Sequence, residues 1–594
     1  MNNRFWQAIV IAVLILAVIS GGFWLIDATV ARVACGTTPI GGSVFSGIVF
    51  LIGGHPSELG QMPASCDLPV TLIRLLDGVA LLLLVALVIV GWVLVRRALQ
   101  SDQVFRWQLL FRDGFAMKAE VRKSLSARAA LSRSGTVRPS LKNPTVDEVS
   151  WKLGRSRGTD IHPSIEDSIA VIGPPRMGKG WRIIIGAILD WSGPMITTST
   201  RADNLAATLK SRAKRGKTIV VDPQRLSGVE SMIVPGPSFQ CDEPETAARR
   251  ARQIIAGTAL GKSGSNQEWA GESATILSRL LHAAAVSGLD TDSLYRWGSG
   301  PGLARQAVDI LRSDGADGWG DSLQEILDGD PELLASKWLG VSAAVEPLAI
   351  PSIRRAFSPD RNRPAFDPRA FLDGPNTLYL IGTGAEAASA GGFLGAVLDD
   401  VVAVARRKAL ASPSNRLDPP LGLVLDEFLN MFMWPELPRI LSDGGGLNIS
   451  TMVVLQGLAQ ARSAYSDAEA VTIWNSAITK VMLGGASDIS FLQDVSALLG
   501  PRQVQARSDS YTDESTSTSV HKQDAPVLSV SDLRRLPDGM GVLTHRNRRG
   551  ILIDTIPWTL RSDADEISTE KKQTEAEQLA VFRRLEKERA DTYV

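Results

Sequence analysis

Cysteine is nearly absent from these 594 residues: three are present, too few for a disulfide-built scaffold. Histidine is also scarce, with five scattered residues and no metal-ligand spacing among them. Net charge is missing altogether, because sixty-three basic residues balance sixty-three acidic ones. A polycation that coats nucleic acid is thereby excluded, and any such contact has to come from local patches. Hydrophobic residues make up 44% and charged residues 21%, which excludes a disordered chain. What is present in excess is apolar sequence. The mean hydropathy of +0.06 is high for a soluble protein, and the excess sits at one end. The length calls for two or three domains.

Residues 5–26 carry no charge over 22 positions, and residues 78–95 form a second uncharged run of 18. A helix of the first length rises about 33 Å, enough to cross a hydrocarbon core of about 30 Å. Trp6, Trp24 and Trp92 lie near the run ends, where interfacial indoles are expected. Segment 96–133 holds nine Lys or Arg against three acids, whereas 27–77 holds two against four. This bias predicts a multi-pass inner or plasma membrane protein whose N-terminus and large C-terminal part face the cytoplasm. Residues 27–77 then form an external loop, with an apolar stretch at 39–54 too short to be a third span. Cys35 and Cys66 both fall in it; a disulfide and two unpaired thiols are both open readings. Cys241 is read as cytoplasmic and inert.

From about residue 150 short β-branched runs alternate with amphipathic helices. The runs are 168–172, 195–199, 217–222, 376–381, 421–426, 449–455 and 477–483. That alternation predicts a mostly parallel sheet covered on both faces. Between 242 and 360 the strand signal disappears, and 266–288 reads as one long helix capped by Asn266 and ended by Gly288. Its Trp269, Ile276, Leu277, Leu280, Leu281 and Ala284 share a face and are expected in the core. Residues 507–526 are polar and Ser/Thr-rich and read as an exposed loop. Two short strands are expected near 541–545 and 551–556. The charge-dense segment 562–594 reads as a solvated helix or frayed tail, with partner docking as the other reading.

The first run leads into Gly173, Pro174, Pro175, Arg176, Met177, Gly178, Lys179 and Gly180, followed by an apolar helix. Strand, glycine loop and helix at the spacing G-x-x-x-x-G-K form a P-loop, which binds ATP through backbone N–H groups. The helix N-terminus adds about half a positive charge, and Lys179 can reach the β- and γ-phosphates. Gly180 stands where a Ser or Thr usually ligates Mg2+. LGLVLDEF supplies the missing carboxylate: it places Asp426 and Glu427 at the end of an apolar strand, the Walker B pattern. Asp426 is expected to hold Mg2+ through water, and Glu427 to polarise the attacking water. Gln456 ends the next apolar strand, where a carboxamide can contact the γ-phosphate. Lys179, Asp426, Glu427 and Gln456 are thus the expected catalytic set. Asp222, in TIVVDPQ, is expected to cap a neighbouring helix or face the nucleotide.

GPPRMGKG, VVDPQ, VLDEF, VVLQGLAQAR and VLSVSDLRRLPDGMGVL together resemble the type IV secretion coupling proteins, the TraG/TraD-type conjugative DNA-transfer ATPases. The resemblance covers most of residues 1–560. It implies a P-loop RecA-like α/β fold with an inserted all-α domain behind two transmembrane helices. The expected organisation is an anchor (1–100), a cytoplasmic linker (101–150), a nucleotide-binding domain in two parts (151–241 and 361–560), the all-α domain (242–360) and the tail (561–594). The implied activity is ATP hydrolysis that drives relaxase-bound single-stranded DNA into a secretion channel. Implied partners are single-stranded DNA more than duplex, relaxosome proteins, channel proteins, the membrane and further copies in a homo-hexamer. The neighbouring subunit should supply an arginine; Arg439 is the nearest basic residue to the position where some members carry it.

Two other functions fit the same motifs. One is an FtsK-type duplex DNA pump, disfavoured by Gly180 and by the lack of a C-terminal winged-helix signal. The other is a nucleotide-switched adaptor for protein effectors. Candidate nucleic-acid contacts are the run Lys210–Lys217 and the cluster Arg546, Arg548 and Arg549, each of which reads more simply as a solvated helix end or turn.

Overall fold

The computed structural model describes residues 3–53, 56–61, 69–99, 101–232, 234–261, 266–358, 366–384, 389–512 and 515–592. Two compact units divide the chain, Met1–Gln108 and Leu109–Val594.

In the first unit, two helices are long and apolar enough to cross a membrane: Asn3–Cys35 and Val70–Leu99. Both extend beyond the uncharged runs, so the expected external loop of 27–77 is partly helical. The reason is local. No Gly or Pro interrupts 27–35, and the first helix stops only where Gly36 takes φ +70° and returns its N–H to Arg32 O at 3.0 Å. A short helix, Ser46–Gly53, forms inside the apolar stretch 39–54. Its Phe50 packs with Ala31, Leu59 and Ile73. Cys35 is disulfide-bonded; Cys66 lies outside the described residues.

The second unit is built on one sheet. Its strands are β1 (Gly154–Ser156), β2 (Thr159–Ile161), β3 (Ile169–Ile172), β4 (Met195–Ser199), β5 (Thr218–Val221), β6 (Thr377–Ile381), β7 (Leu421–Asp426), β8 (Ile449–Leu455) and β9 (Thr479–Leu483). Two more form a separate ribbon, β10 (Pro501–Thr512) and β11 (Ser515–Pro526), and the main sheet ends with β12 (Met540–His545) and β13 (Ile551–Asp554). The eleven-stranded order is β2-β1-β13-β12-β9-β3-β8-β7-β4-β6-β5. From β9 to β5 every pairing is parallel, and these seven strands are the seven apolar runs. β12 then turns the sheet antiparallel against β9. The parallel strands are buried on both faces, which is why they read as continuous apolar runs and not as alternations.

Between β5 and β6 the described elements are helices, Gln267–Val286 the longest. Ile276, Leu277, Leu280, Leu281 and Ala284 are buried as expected, and Gly288 ends the segment at φ +61°. Trp269 departs from the expected core. It lies in the first turn and remains 37% exposed. Cys241 is buried and unpaired, and burial pushes its thiol up to about 11.

Two polar segments differ from their sequence reading. Of residues 507–526, the described 507–512 and 515–526 are not loop but lie in strands β10 and β11, in register from Pro501↔Pro526 to Thr512↔Ser515. The ribbon residues whose burial is described, 501–506 and 519–526, are exposed or half-buried, so no apolar alternation marks it. The tail forms the helix Ala564–Thr592 and is not merely solvated. Ile567 packs on Ile185, Leu189 and Ala207, while Lys210 pairs with Glu577 at 2.6 Å and Lys214 with Glu566 at 2.5 Å. Exposed pairs of this kind contribute about 0–1 kcal/mol each, so the apolar contact carries the docking.

Candidate nucleotide site

The site begins where β3 ends. All four β3 residues are buried between β8 and β9, and Gly173 continues the ladder by donating its N–H to Leu455 O at 3.1 Å. A Cβ on Gly173 would sit 3.0 Å from Leu483 Cδ1, so a side chain here would crowd Leu483. Pro174 is half-buried, whereas Pro175 and Arg176 are exposed at the tip. Arg176 and Gly178 take left-handed backbone, at φ +66° and +76°. Met177 packs against the core cluster beneath. The following helix opens with a π-helical turn, Gly180–Ile184, and continues as Ile185–Asp190. Ile183, Ile184, Ala187 and Ile188 anchor it in the core. The loop is therefore fixed at both ends by burial and held at Met177, while Pro175 and Arg176 project at its tip.

Lys179 is folded into the loop. Its Nζ donates to Gly173 O at 2.5 Å and Pro174 O at 2.9 Å. Burial lowers its pKa, opposed by the nearby Asp426 and Glu427 carboxylates. Asp426 is the last residue of β7 and is 7% exposed. Its Oδ2 accepts from Asn204 Nδ2 at 3.0 Å, and its backbone O accepts from Thr198 Oγ1 at 2.8 Å. Burial, then the Glu427 charge, pushes the Asp426 carboxyl up to about 7, against Lys179 and the Asn204 hydrogen bond. Among the described residues Asp426 makes no ion pair. Glu427 sits at φ +50° and accepts a hydrogen bond from Thr200 Oγ1.

Strand order brings these groups together. β3, β8 and β7 are neighbours, and Lys179, Gln456 and Glu427 all follow the C-terminal ends of these parallel strands. That edge is where open α/β sheets bind ligands. Gln456 is half-buried, and its N–H donates to Gln460 Oε1 at 3.2 Å; Gln460 in turn donates to Asn430 Oδ1 at 2.9 Å. Gly180 faces Asn204, whose Oδ1 would lie 3.0 Å from a Cβ there.

Asp222 falls elsewhere. It follows β5 at the sheet edge and accepts from Leu226 N–H at 2.9 Å and Ser227 N–H at 2.6 Å, so it holds its own turn. Arg439 is 65% exposed and lies near Glu436 at 3.6 Å and Asp443 at 3.5 Å. The basic run Lys210–Lys217 is the expected helix end, with Lys214, Arg215 and Lys217 exposed, except at one residue. Arg212 within it is wholly buried, donating to Trp191 O at 2.5 Å, Thr377 Oγ1 at 2.7 Å, Pro375 O at 3.0 Å and Gly193 O at 3.1 Å. Arg546 pairs with Asp167 at 2.8 Å and Arg549 with Glu120 at 3.2 Å. Asn204, Thr198 and Thr200 escaped the sequence reading. They sit outside the motifs, on and after β4, and only the pairing of β4 with β7 brings them to Asp426 and Glu427.

Residues 420–538 match the family model described as the TraM recognition site of TraD and TraG. The bacterial conjugative coupling protein TrwBdeltaN70, in its unbound monoclinic form, is similar at 19% identity and a TM-score of 0.50, over 71% of this chain and 90% of that one. TrwB with the GTP analogue GDPNP is similar at 17% identity and a TM-score of 0.51, over 71% and 92%. TrwB with ADP and Mg2+ is similar at 17% identity and a TM-score of 0.50, over 71% and 91%. No curated protein matches the chain. The likeness to these structures establishes the fold, and with the family match it bears out the resemblance to the type IV coupling proteins.

Proposed function

We propose that this chain is a membrane-anchored ATPase that recruits relaxase-bound single-stranded DNA and drives it into a type IV secretion channel. The observation that carries the reading is the meeting of Lys179, Asp426 and Glu427 at one edge of a coupling-protein sheet, on strands far apart in sequence. The residues fit a nucleotide with Mg2+. Gly178 has the left-handed backbone a phosphate-facing loop requires, and Asp426 is a buried carboxylate with no cation paired to it among the described residues. Mg2+, when bound, would offset phosphate charge, with Asp426 holding it through water.

The loop N–H groups from Gly173 to Gly180 would orient the phosphates, and Lys179 would leave its carbonyl partners for the β- and γ-phosphates. Glu427 would accept a proton from the attacking water, and Gln456 would sense the γ-phosphate. A homo-hexamer would place an arginine of one copy at the site of the next. Two apolar helices of membrane-spanning length support the anchoring, with the large part cytoplasmic by charge bias. The family match supports relaxosome proteins as partners.

The test is ATP turnover by the full chain in nanodiscs, without DNA, with single strands and with duplex. Stimulation by single strands that is lost in Lys179→Ala is expected. A preference for duplex would point to a double-strand pump. Nucleotide binding without turnover would overturn the motor and leave the adaptor.

A further inference from the structure

A groove of about 720 Å³ lies between the helices Lys118–Leu125 and Ala127–Leu131 and the β1–β2 hairpin. Arg122, Lys123, Arg128 and Arg155 line it, with Asp160 the one carboxylate. Asp160 is already shared, 2.7 Å from Arg155 and 3.4 Å from Lys152. Arg122, Lys123 and Arg128 are exposed, and among the described residues they form no ion pair. A concavity with three unpaired cations and one shared carboxylate carries local positive potential that favours a compact anion.

We propose that this groove binds the phosphate headgroup of an anionic phospholipid. It goes beyond the ATPase reading and rests only on the membrane anchoring. Three observations favour lipid over nucleic acid. The chain reaches the groove directly from the apolar Val70–Leu99 helix, with one short helix, Asp102–Leu110, between them. That apolar helix ends in Arg96 and Arg97, so along the sequence the groove residues Arg122, Lys123 and Arg128 follow soon after basic residues at the end of the apolar segment. The cations line one bounded groove, whereas a nucleic-acid backbone calls for an extended stripe.

The test uses the full chain in nanodiscs of phosphatidylcholine, with and without phosphatidylglycerol, and reads lysine acetylation by mass spectrometry. Phosphatidylglycerol should slow acetylation of Lys123 about fivefold, the factor expected for one surface cation at an anionic leaflet. Exposed Lys142, outside the groove, should be unaffected. Arg122→Gln with Arg128→Gln should remove the protection; both side chains are exposed, so folding should survive. Equal Lys123 rates in the two lipids would overturn the proposal, as would protection given by single-stranded DNA alone. A chain that alkaline carbonate strips from vesicles would overturn the anchoring, and this proposal with it, while leaving the ATPase reading intact.

Discussion

Asn204→Ala isolates one hydrogen bond at the centre of the site. The Asn204 amide is 6% exposed and donates to Asp426 Oδ2 at 3.0 Å, and its loss leaves that oxygen without a described donor. A hydrogen bond to a charged group contributes about 1.5–3 kcal/mol, which is roughly 10- to 100-fold in an equilibrium constant. Partners that orient metal-binding carboxylates have effects of the same size on metal affinity, about 10- to 100-fold. The Mg2+ concentration for half-maximal ATP turnover should therefore rise about 10- to 100-fold in Asn204→Ala. The maximal rate should return in excess Mg2+, because Lys179 and Glu427 are untouched. The assay is a Mg2+ titration of turnover at saturating ATP, beside a thermal melt. An unchanged Mg2+ midpoint in a folded variant would refute Asp426 as the group that holds the metal. A rate that excess Mg2+ does not restore would move Asn204's role elsewhere.

Gly180→Ser would place a Cβ 3.0 Å from Asn204 Oδ1, so it should raise the same Mg2+ midpoint, whereas adding Asn204→Ala frees room for the new hydroxyl and should lower it again. Arg212→Met abandons the carbonyls of Trp191, Gly193 and Pro375 in the interior, and chemical denaturation should show a loss of about 3–5 kcal/mol. Burial lowers the His545 pKa to about 4, with Arg546, Arg133 and Arg548 pushing the same way and Asp167 opposing. Since the unfolded value is about 6.5, the neutral form's stabilisation is complete above that pH and is lost as pH falls toward 4, by up to about 3 kcal/mol. Denaturation at stepped pH should show this slope, flattened in His545→Gln.

The parallel half of the sheet was legible because burial on both faces leaves an unbroken apolar signature, and each of its seven strands carries one. The antiparallel additions were less so. β1 and β2 are three residues each, joined by Arg157 and Gly158 at φ +48° and +75°, a tight turn that no apolar pattern announces. β10 and β11 are long but lie outside the core, so the rule that found the other strands passed over them. Charge misled in a different way. KSRAKRGK looks solvated as a string, yet Arg212 sits one helical turn beyond Thr208, on the face that packs against the sheet. There, backbone carbonyls at the ends of β4 and β6 satisfy it.

The same distinction governs the site. That Lys179, Asp426 and Glu427 come together was readable because each ends or follows an apolar strand, and strand ends in a parallel sheet meet at one edge. Asn204 was not, because nothing in its own segment requires an amide. Its reason lies at Gly180. The usual hydroxyl at that position would crowd the amide that now steadies Asp426, and with glycine there the amide fits. The departure from the common motif and the unread residue then belong together: support for the Asp426 carboxylate, the group proposed to hold Mg2+, comes from the helix after β4 and not from the loop. A chain with Ser or Thr after the P-loop lysine should not need an amide at the position of Asn204. Exchanging the two residues together should therefore be tolerated better than exchanging either alone.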